Sequence, residues 1–391
     1  MRTIQGRDEE ACDIGSAGLR RAAARSRATF ETKRPQAAPT LRRPAMRLPS
    51  ILAFLAVLSF ALPGFAHDDD RCKPGVVTEE SWIDSDTPGI SLYVRNKHSG
   101  CMDVRGTRRV LLYVHGATYP SETAFDLPLD GLSWMEFIAR AGWDVWLVDL
   151  RGYGRSTRPA EMERPATDNP PIVTTDVAIR DVGSAVDHIL ARRGVDRIAL
   201  LGWSWGTAIM GGYAAAHPEK VSRLVLYAPV WLRTTPSPLA GSGPLPAYRT
   251  VTKDAAHKRW LAGVPENRKG DLIPPGWFEA WADATWATDP ASGSGQLRAP
   301  NGVLKDLREY WLAENPSYDP SRITAPTLLT VAEWDQDTPP YMAQTLFGKL
   351  TSAATKRLVM FGEGTHTIIM ERNRSQLFRE VQLFLDEDLQ R

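Results

Sequence analysis

The chain has 391 residues, 43% of them apolar, with 47 basic against 46 acidic side chains for a formal net charge of +1. That length and apolar content supply a large buried core, and nothing in the balanced charge suggests a polyanion partner or a nucleic-acid surface. The balance is uneven along the chain: eleven basic and five acidic side chains precede His67, so a chain beginning there carries 36 against 41, a formal −5.

Residues 1–45 are rich in arginine, poor in aromatics and without apolar periodicity, so they are expected to be disordered, a dispensable leader or an over-extended reading frame. Met46-Arg47-Leu48-Pro49-Ser50, the apolar run Ile51 to Leu62 and the small-residue ending Gly64-Phe65-Ala66 follow as n-region, h-region and cleavage site. Residues 46–66 therefore read as a signal peptide, which sends the protein to the periplasm or the medium and leaves no stable membrane span after processing. Cleavage after Ala66 leaves 325 residues. Only Cys72 and Cys101 then remain, and in an oxidising compartment a disulfide between them is expected.

Alternation around Ile90–Arg95 predicts an early antiparallel strand, and Val110–Val114 is a continuous apolar run of the kind buried on both faces of a parallel sheet. A helix at Trp134–Ala141 and a strand at Asp144–Val148 come next. Ile179, Val182, Val186 and Ile189 mark a helix over Asp176–Arg192, before a strand at 197–201, a small-residue helix at Thr207–His217 and a strand at Leu224–Tyr227. Between Trp231 and Arg322 the alternation stops, and about ninety residues carry many prolines and several helix-like pieces. It resumes with a strand at Thr327–Val331, a helix around Tyr341–Leu350, a strand at Lys356–Met360 and a helix around Ser375–Leu389. Strands alternating with helices imply a mostly parallel α/β sheet, and the interruption, residues 232–322, reads as a cap inserted after the sixth strand, with the core in 67–231 and 323–391.

Gly202-Trp203-Ser204-Trp205-Gly206 sits between the strand at 197–201 and the following helix. A G-x-S-x-G in that setting is a nucleophile elbow, whose tight turn lifts the serine hydroxyl above the sheet edge. Three other segments fall where such a sheet presents its loops: His115-Gly116 after a central strand, Asp149-Leu150-Arg151-Gly152-Tyr153-Gly154-Arg155-Ser156, and the late pair Asp335 and His366 in the order Ser, Asp, His. Together these segments resemble the α/β-hydrolase superfamily over essentially residues 75–390, in its serine-nucleophile, cap-bearing members such as esterases, lipases and proline iminopeptidases. The resemblance implies an eight-stranded, mostly parallel sheet flanked by helices, with a helical cap after strand six.

A serine hydroxyl attacks only when a base takes its proton, and a histidine oriented by a buried carboxylate does this near neutrality. Ser204 is assigned as nucleophile, His366 as base and Asp335 as orienting acid, with Glu333 and Asp337 close enough to substitute for it. Asp149 is expected to brace its own turn. The oxyanion donors are expected at the backbone amides of Trp205 and Ala117. His115 is expected to hold the oxyanion loop, and no cofactor or metal is needed. Serine at 204 excludes the dehalogenase and epoxide-hydrolase chemistries, which place an aspartate there in related proteins.

Tyr119, Trp231, Trp277, Trp281 and Trp286 are the expected substrate-binding residues, since an aromatic lid over a serine site favours apolar or aromatic groups. The resulting expectation is an exported serine hydrolase acting on small apolar carboxylic esters with water as co-substrate. The alternative is a proline-iminopeptidase-like aminopeptidase or amidase, for which Glu279, Asp283 and Glu309 would hold the free amine. A non-catalytic binding protein on the same fold fits less well, because no position of the serine, histidine and oxyanion set is degraded.

Overall fold

The computed structural model describes residues 75–388. The expected extension 1–45, the signal peptide 46–66 and Cys72 lie outside the described residues. The expected Cys72–Cys101 disulfide is not carried forward, because Cys72 lies outside the described residues; Cys101, exposed beyond the second strand, is the only cysteine among them.

Eight strands form the central sheet. In chain order they are β1 (Val76–Asp84), β2 (Ser91–Ser99), β3 (Val110–Val114), β4 (Asp144–Val148), β5 (Ile198–Trp203) and β6 (Val221–Tyr227), with β9 (Thr327–Ala332) and β10 (Lys356–Phe361) after the insertion. Their order across the sheet is β1-β2-β4-β3-β5-β6-β9-β10, and only β2 runs against the rest. The continuous apolar runs of β3, β4, β5 and β9 are buried along their whole length, as central strands covered on both faces must be. Strand β1 was not anticipated, because Val76-Val77-Thr78-Glu79-Glu80-Ser81 lacks clean alternation; it is an edge strand and half solvated.

Side chains alternate between two cores, as the two-residue period of a strand requires. Val110, Leu112 and Val114 join Ile198 and Leu200 on one face, against α3 (Thr175–Arg193), α4 (Trp205–Ala216) and α9 (Pro340–Lys349). Leu111, Tyr113, Ala199, Leu201 and Trp203 join the other, against α1 (Ser121–Phe125), α2 (Trp134–Arg140) and α10 (Arg374–Asp386). Helix α3 buries Val182, Val186 and Ile189 as its pattern implied and stops at Gly194, whose left-handed φ of 67° lets its N–H reach Leu190 O at 2.9 Å. Among the described residues no helix is long and apolar enough to cross a membrane.

The insertion after β6 carries α5 (Lys253–Trp260), α6 (Lys269–Leu272), α7 (Trp277–Trp286) and α8 (Gly302–Asp306), the last running on through a wider turn at Leu307–Trp311. It also holds a two-stranded antiparallel ribbon, β7 (Tyr248–Thr252) with β8 (Gln296–Pro300), which the helix-like patterning did not reveal. Asp306 anchors α8 to the core by accepting both the Thr175 N–H and the Thr175 hydroxyl at 2.6 Å. That bond satisfies an N–H at the start of α3 that has no intrahelical acceptor.

Candidate functional site

Strand β5 ends at Trp203 and α4 begins at Trp205, so Ser204 alone makes the turn, with φ 57° and ψ −121°. A non-glycine residue held there costs about 1–3 kcal/mol and persists only where its surroundings over-determine it. The surroundings do so. Ser204 N donates to Tyr227 O at 2.9 Å, and the Thr207 hydroxyl donates to Ser204 O at 2.5 Å while accepting from Val230 N at 2.8 Å. The flanking glycines are sterically required: a Cβ on Gly202 would lie 2.2 Å from Gly206 O, and one on Gly206 would lie 2.7 Å from the carbonyls of Val114 and His115.

His366 follows β10 on a loop whose backbone is locked from below. Its carbonyl accepts the Tyr227 hydroxyl at 2.7 Å and the Trp203 indole N–H at 3.1 Å. The imidazole Nδ1 meets Asp335 Oδ2 at 2.8 Å. Asp335 is fully buried and also accepts Asp337 N at 2.9 Å, Thr338 N at 2.7 Å and the Thr338 hydroxyl at 2.8 Å. With Nδ1–H donating to this carboxylate, Nε2 is left unprotonated and able to accept a proton. Of the nearby acids, Glu333 is exposed and accepts Glu363 N at 3.0 Å, whereas Asp337 Oδ2 stands 4.0 Å from His366 Nε2. Burial opposes charge on the imidazole, but the Asp335 and Asp337 carboxylates outweigh it and hold the His366 pKa above its ordinary value. Asp337 is itself held low: burial disfavours its charge, and Arg259, which donates Nε–H to both its oxygens at 2.9 and 3.1 Å, more than compensates.

The loop after β3 lies over Ser204, with the Gly116 Cα so close that an added Cβ would sit 3.0 Å from Ser204 Cβ. His115 braces it. Its Nε2 accepts Leu150 N at 3.2 Å, so Nδ1 carries the proton and donates to Gly116 O at 2.7 Å; burial pushes its pKa down to about 4, keeping the ring neutral. The Ala117 carbonyl accepts the Tyr153 hydroxyl at 2.9 Å and Arg249 Nη2 at 2.7 Å, and the same Nη2 reaches the Thr118 hydroxyl at 2.9 Å. Arg249 comes from β7, so the insertion itself fixes this loop. These bonds leave the Ala117 N–H without an acceptor among the described residues, and Trp205 N–H, at the first position of α4, has no intrahelical acceptor either. Asp149 braces its own turn, accepting Ser121 N at 2.8 Å and Arg155 N at 3.1 Å.

Two cavities open onto Ser204. Of the aromatic residues singled out from the sequence, Tyr119 and Trp281 line the first, their rings 4.7 Å apart edge to face. Trp286 lies behind them, 6.1 Å from Trp281, with its indole N–H on Gly295 O at 3.1 Å. Trp231 packs on Tyr318, and Trp277 lies under the Arg374 guanidinium; neither lines either of these two cavities. Trp260, Arg259, Arg249 and the aliphatic wall of α8 were missed, since nothing in their spacing separates a cavity wall from ordinary cap core. Asp283 and Glu309, two of the acids considered for amine recognition, instead pair with Lys253 and Lys305 on the exterior, and Glu279 is exposed.

Behind the histidine loop sits a buried carboxyl. Glu371 accepts Trp260 Nε1 at 2.9 Å and Thr365 N at 3.1 Å, and also takes the Thr365 hydroxyl, tying the insertion to the residue before His366. Burial, only partly offset by these bonds, pushes its pKa up to about 7.

A probable proline iminopeptidase of Streptomyces coelicolor is 25% identical over 197 residues, covering 44% of this chain and 55% of the relative. Epoxide hydrolase 2 of Siraitia grosvenorii is 27% identical over 154 residues, 39% of each chain. The chain thus spans about half or less of the length of the curated relatives it matches. Among solved structures, a serine hydrolase from the polyaromatic-hydrocarbon-degrading bacterium Cycloclasticus zankles aligns at TM-score 0.54 and 16% identity, over 81% of this chain and 100% of that one. Residues 109–373 match the alpha/beta hydrolase fold as a family, and with the strand order described above the chain belongs to the α/β-hydrolase superfamily.

Proposed function

We propose that this protein is a serine hydrolase that cleaves carboxylic esters with apolar or aromatic groups through an acyl-enzyme. Ser204 Oγ attacks the ester carbonyl as His366 Nε2 takes its proton, and Asp335 stabilises the imidazolium. The N–H groups of Ala117 and Trp205 receive the developing oxyanion. Collapse breaks the bond to the alcohol, which leaves with the proton from His366. Water, deprotonated by the same Nε2, then releases the acid and restores Ser204. The observation that carries this reading is the arrangement at His366: Nδ1 on buried Asp335 at 2.8 Å, which leaves Nε2 as the proton acceptor on a residue that lines the same cavity as Ser204. The apolar run 51–62 supports a place outside the cytoplasm.

Esters are favoured over N-terminal aminoacyl substrates because the carboxylates that would hold an amine face outward, and the cavity's own acid, Asp337, is neutralised by Arg259. The test is turnover of p-nitrophenyl esters beside aminoacyl arylamides, with a fluorophosphonate probe for Ser204. Ester turnover and probe labelling, both lost in Ser204→Ala, are expected. Preference for the arylamides, or full activity in Ser204→Ala, would overturn the proposal.

A further inference from the structure

The space around Ser204 is divided in two. One lobe is walled by the aromatic groups Tyr119, Trp260 and Trp281 and contains His366; the other lacks His366 and is walled mainly by the aliphatic Val303, Leu304, Leu307 and Met342, with Trp205 and Trp311 beside them. Both share Ser204, Ala117 and the Arg259–Asp337 ion pair, which forms the partition between them. The partition is held on both sides: Arg259 from α5 grips the Asp337 carboxylate, and Arg233 donates to the backbone carbonyls of Gln336 and Asp337 at 3.1 and 2.6 Å.

The chemistry assigns the lobes. Around the tetrahedral carbon, one substituent is Ser204 Oγ and another is the oxyanion, directed at the Ala117 and Trp205 amides. The leaving oxygen must lie beside His366 Nε2 to receive its proton, and only the aromatic lobe offers that atom. The acyl chain takes the remaining direction, into the aliphatic lobe. Resting on the ester-hydrolase reading above, we infer that the substrate is an ester of an aliphatic carboxylic acid with an aromatic alcohol, the acid held by α8 and the alcohol by the Tyr119, Trp260 and Trp281 cluster.

The order of events makes this testable, because the alcohol departs before deacylation begins. Ala256 lines the aromatic lobe and Leu304 the aliphatic one, so Ala256→Leu and Leu304→Phe each fill one side. Burst kinetics would be measured on a grid of acetyl and hexanoyl esters of ethanol and 2-naphthol, monitored by product release. Leu304→Phe is expected to lower kcat/KM for hexanoyl relative to acetyl esters at least about tenfold with either alcohol, and to slow deacylation of the hexanoyl-enzyme. Ala256→Leu is expected to lower naphthyl relative to ethyl esters by a similar factor and to leave the deacylation rate of a given acyl group unchanged. Exchange of these two signatures, or the absence of either shift in variants that still label with fluorophosphonate, overturns the lobe assignment. If the parent enzyme neither labels nor turns over any ester, the underlying ester-hydrolase reading fails instead.

Discussion

Asp335→Asn isolates one proton. The carboxylate has four donors around it: two backbone N–H groups at Oδ1, and the Thr338 hydroxyl and His366 Nδ1 at Oδ2. An asparagine of the same shape keeps its carbonyl oxygen on the two backbone N–H groups, because turning it over would set its amide hydrogens against them. Its NH₂ then occupies the Oδ2 position and donates to Nδ1, so the imidazole carries its proton on Nε2 and cannot accept one from Ser204. The wrong tautomer costs roughly 10⁴ in kcat in a serine–histidine–aspartate site. That is about 5.4 kcal/mol of barrier. Asp337→Asn, by contrast, touches His366 only across 4.0 Å and leaves the tautomer alone, so a loss of roughly tenfold or less is expected. The assay is kcat on a p-nitrophenyl ester, normalised to fluorophosphonate-reactive sites, with thermal melts to show that both variants are folded. A larger loss in Asp337→Asn than in Asp335→Asn would refute the assignment of the orienting acid.

Asp337→Asn should also move the acid limb of the pH profile. His366 must be neutral to act, so kcat/KM rises with pH through its pKa, which lies above the ordinary value of about 6.5. Removing a carboxylate that raises this pKa while keeping Arg259, which lowers it, shifts the limb to lower pH; a shift to higher pH contradicts the argument. Arg249→Met should lower kcat about 10- to 100-fold with little change in KM, because it removes a charge-assisted bond from the loop that carries the Ala117 amide. An effect on KM alone would place Arg249 outside the oxyanion site. Glu371 takes up a proton on folding between its ordinary range and about 7, so its contribution to stability is present below about pH 4.5 and lost as pH rises through 7. The swing is on the order of 3 kcal/mol. Glu371→Gln should flatten the dependence of denaturation midpoint on pH over this window, and an unchanged slope would count against the buried protonated carboxyl.

The sheet was legible because its information is local. Apolar runs at Val110–Val114 and Thr327–Val331, and the helical spacing of Val182, Val186 and Ile189, follow from which side chains a strand or helix turns inward. The elbow was legible for the same reason: Gly202 and Gly206 are demanded by backbone contacts within a few residues and from the adjoining strand β3. The two-stranded ribbon was not, because its partners Tyr248–Thr252 and Gln296–Pro300 are separated by three helices, and short irregular strands carry little pattern.

Within the site, residue type and order brought Ser204, Asp335 and His366 forward, but direction was decided only by the assembled molecule. Glu333, Asp335 and Asp337 are three acids within five residues. The turn after β9 sends one to a backbone amide on the surface, one to His366 Nδ1 and one to Arg259 of the insertion. The cap tryptophans likewise look alike in sequence, yet Trp281 and the unforeseen Trp260 face Ser204's cavity while Trp231 and Trp277 pack elsewhere. Secondary structure and the elbow arise from short-range sterics and periodicity, which any stretch of sequence carries. A cavity wall is made where elements far apart in the chain converge, so its membership and its charge pairing are settled by their tertiary placement.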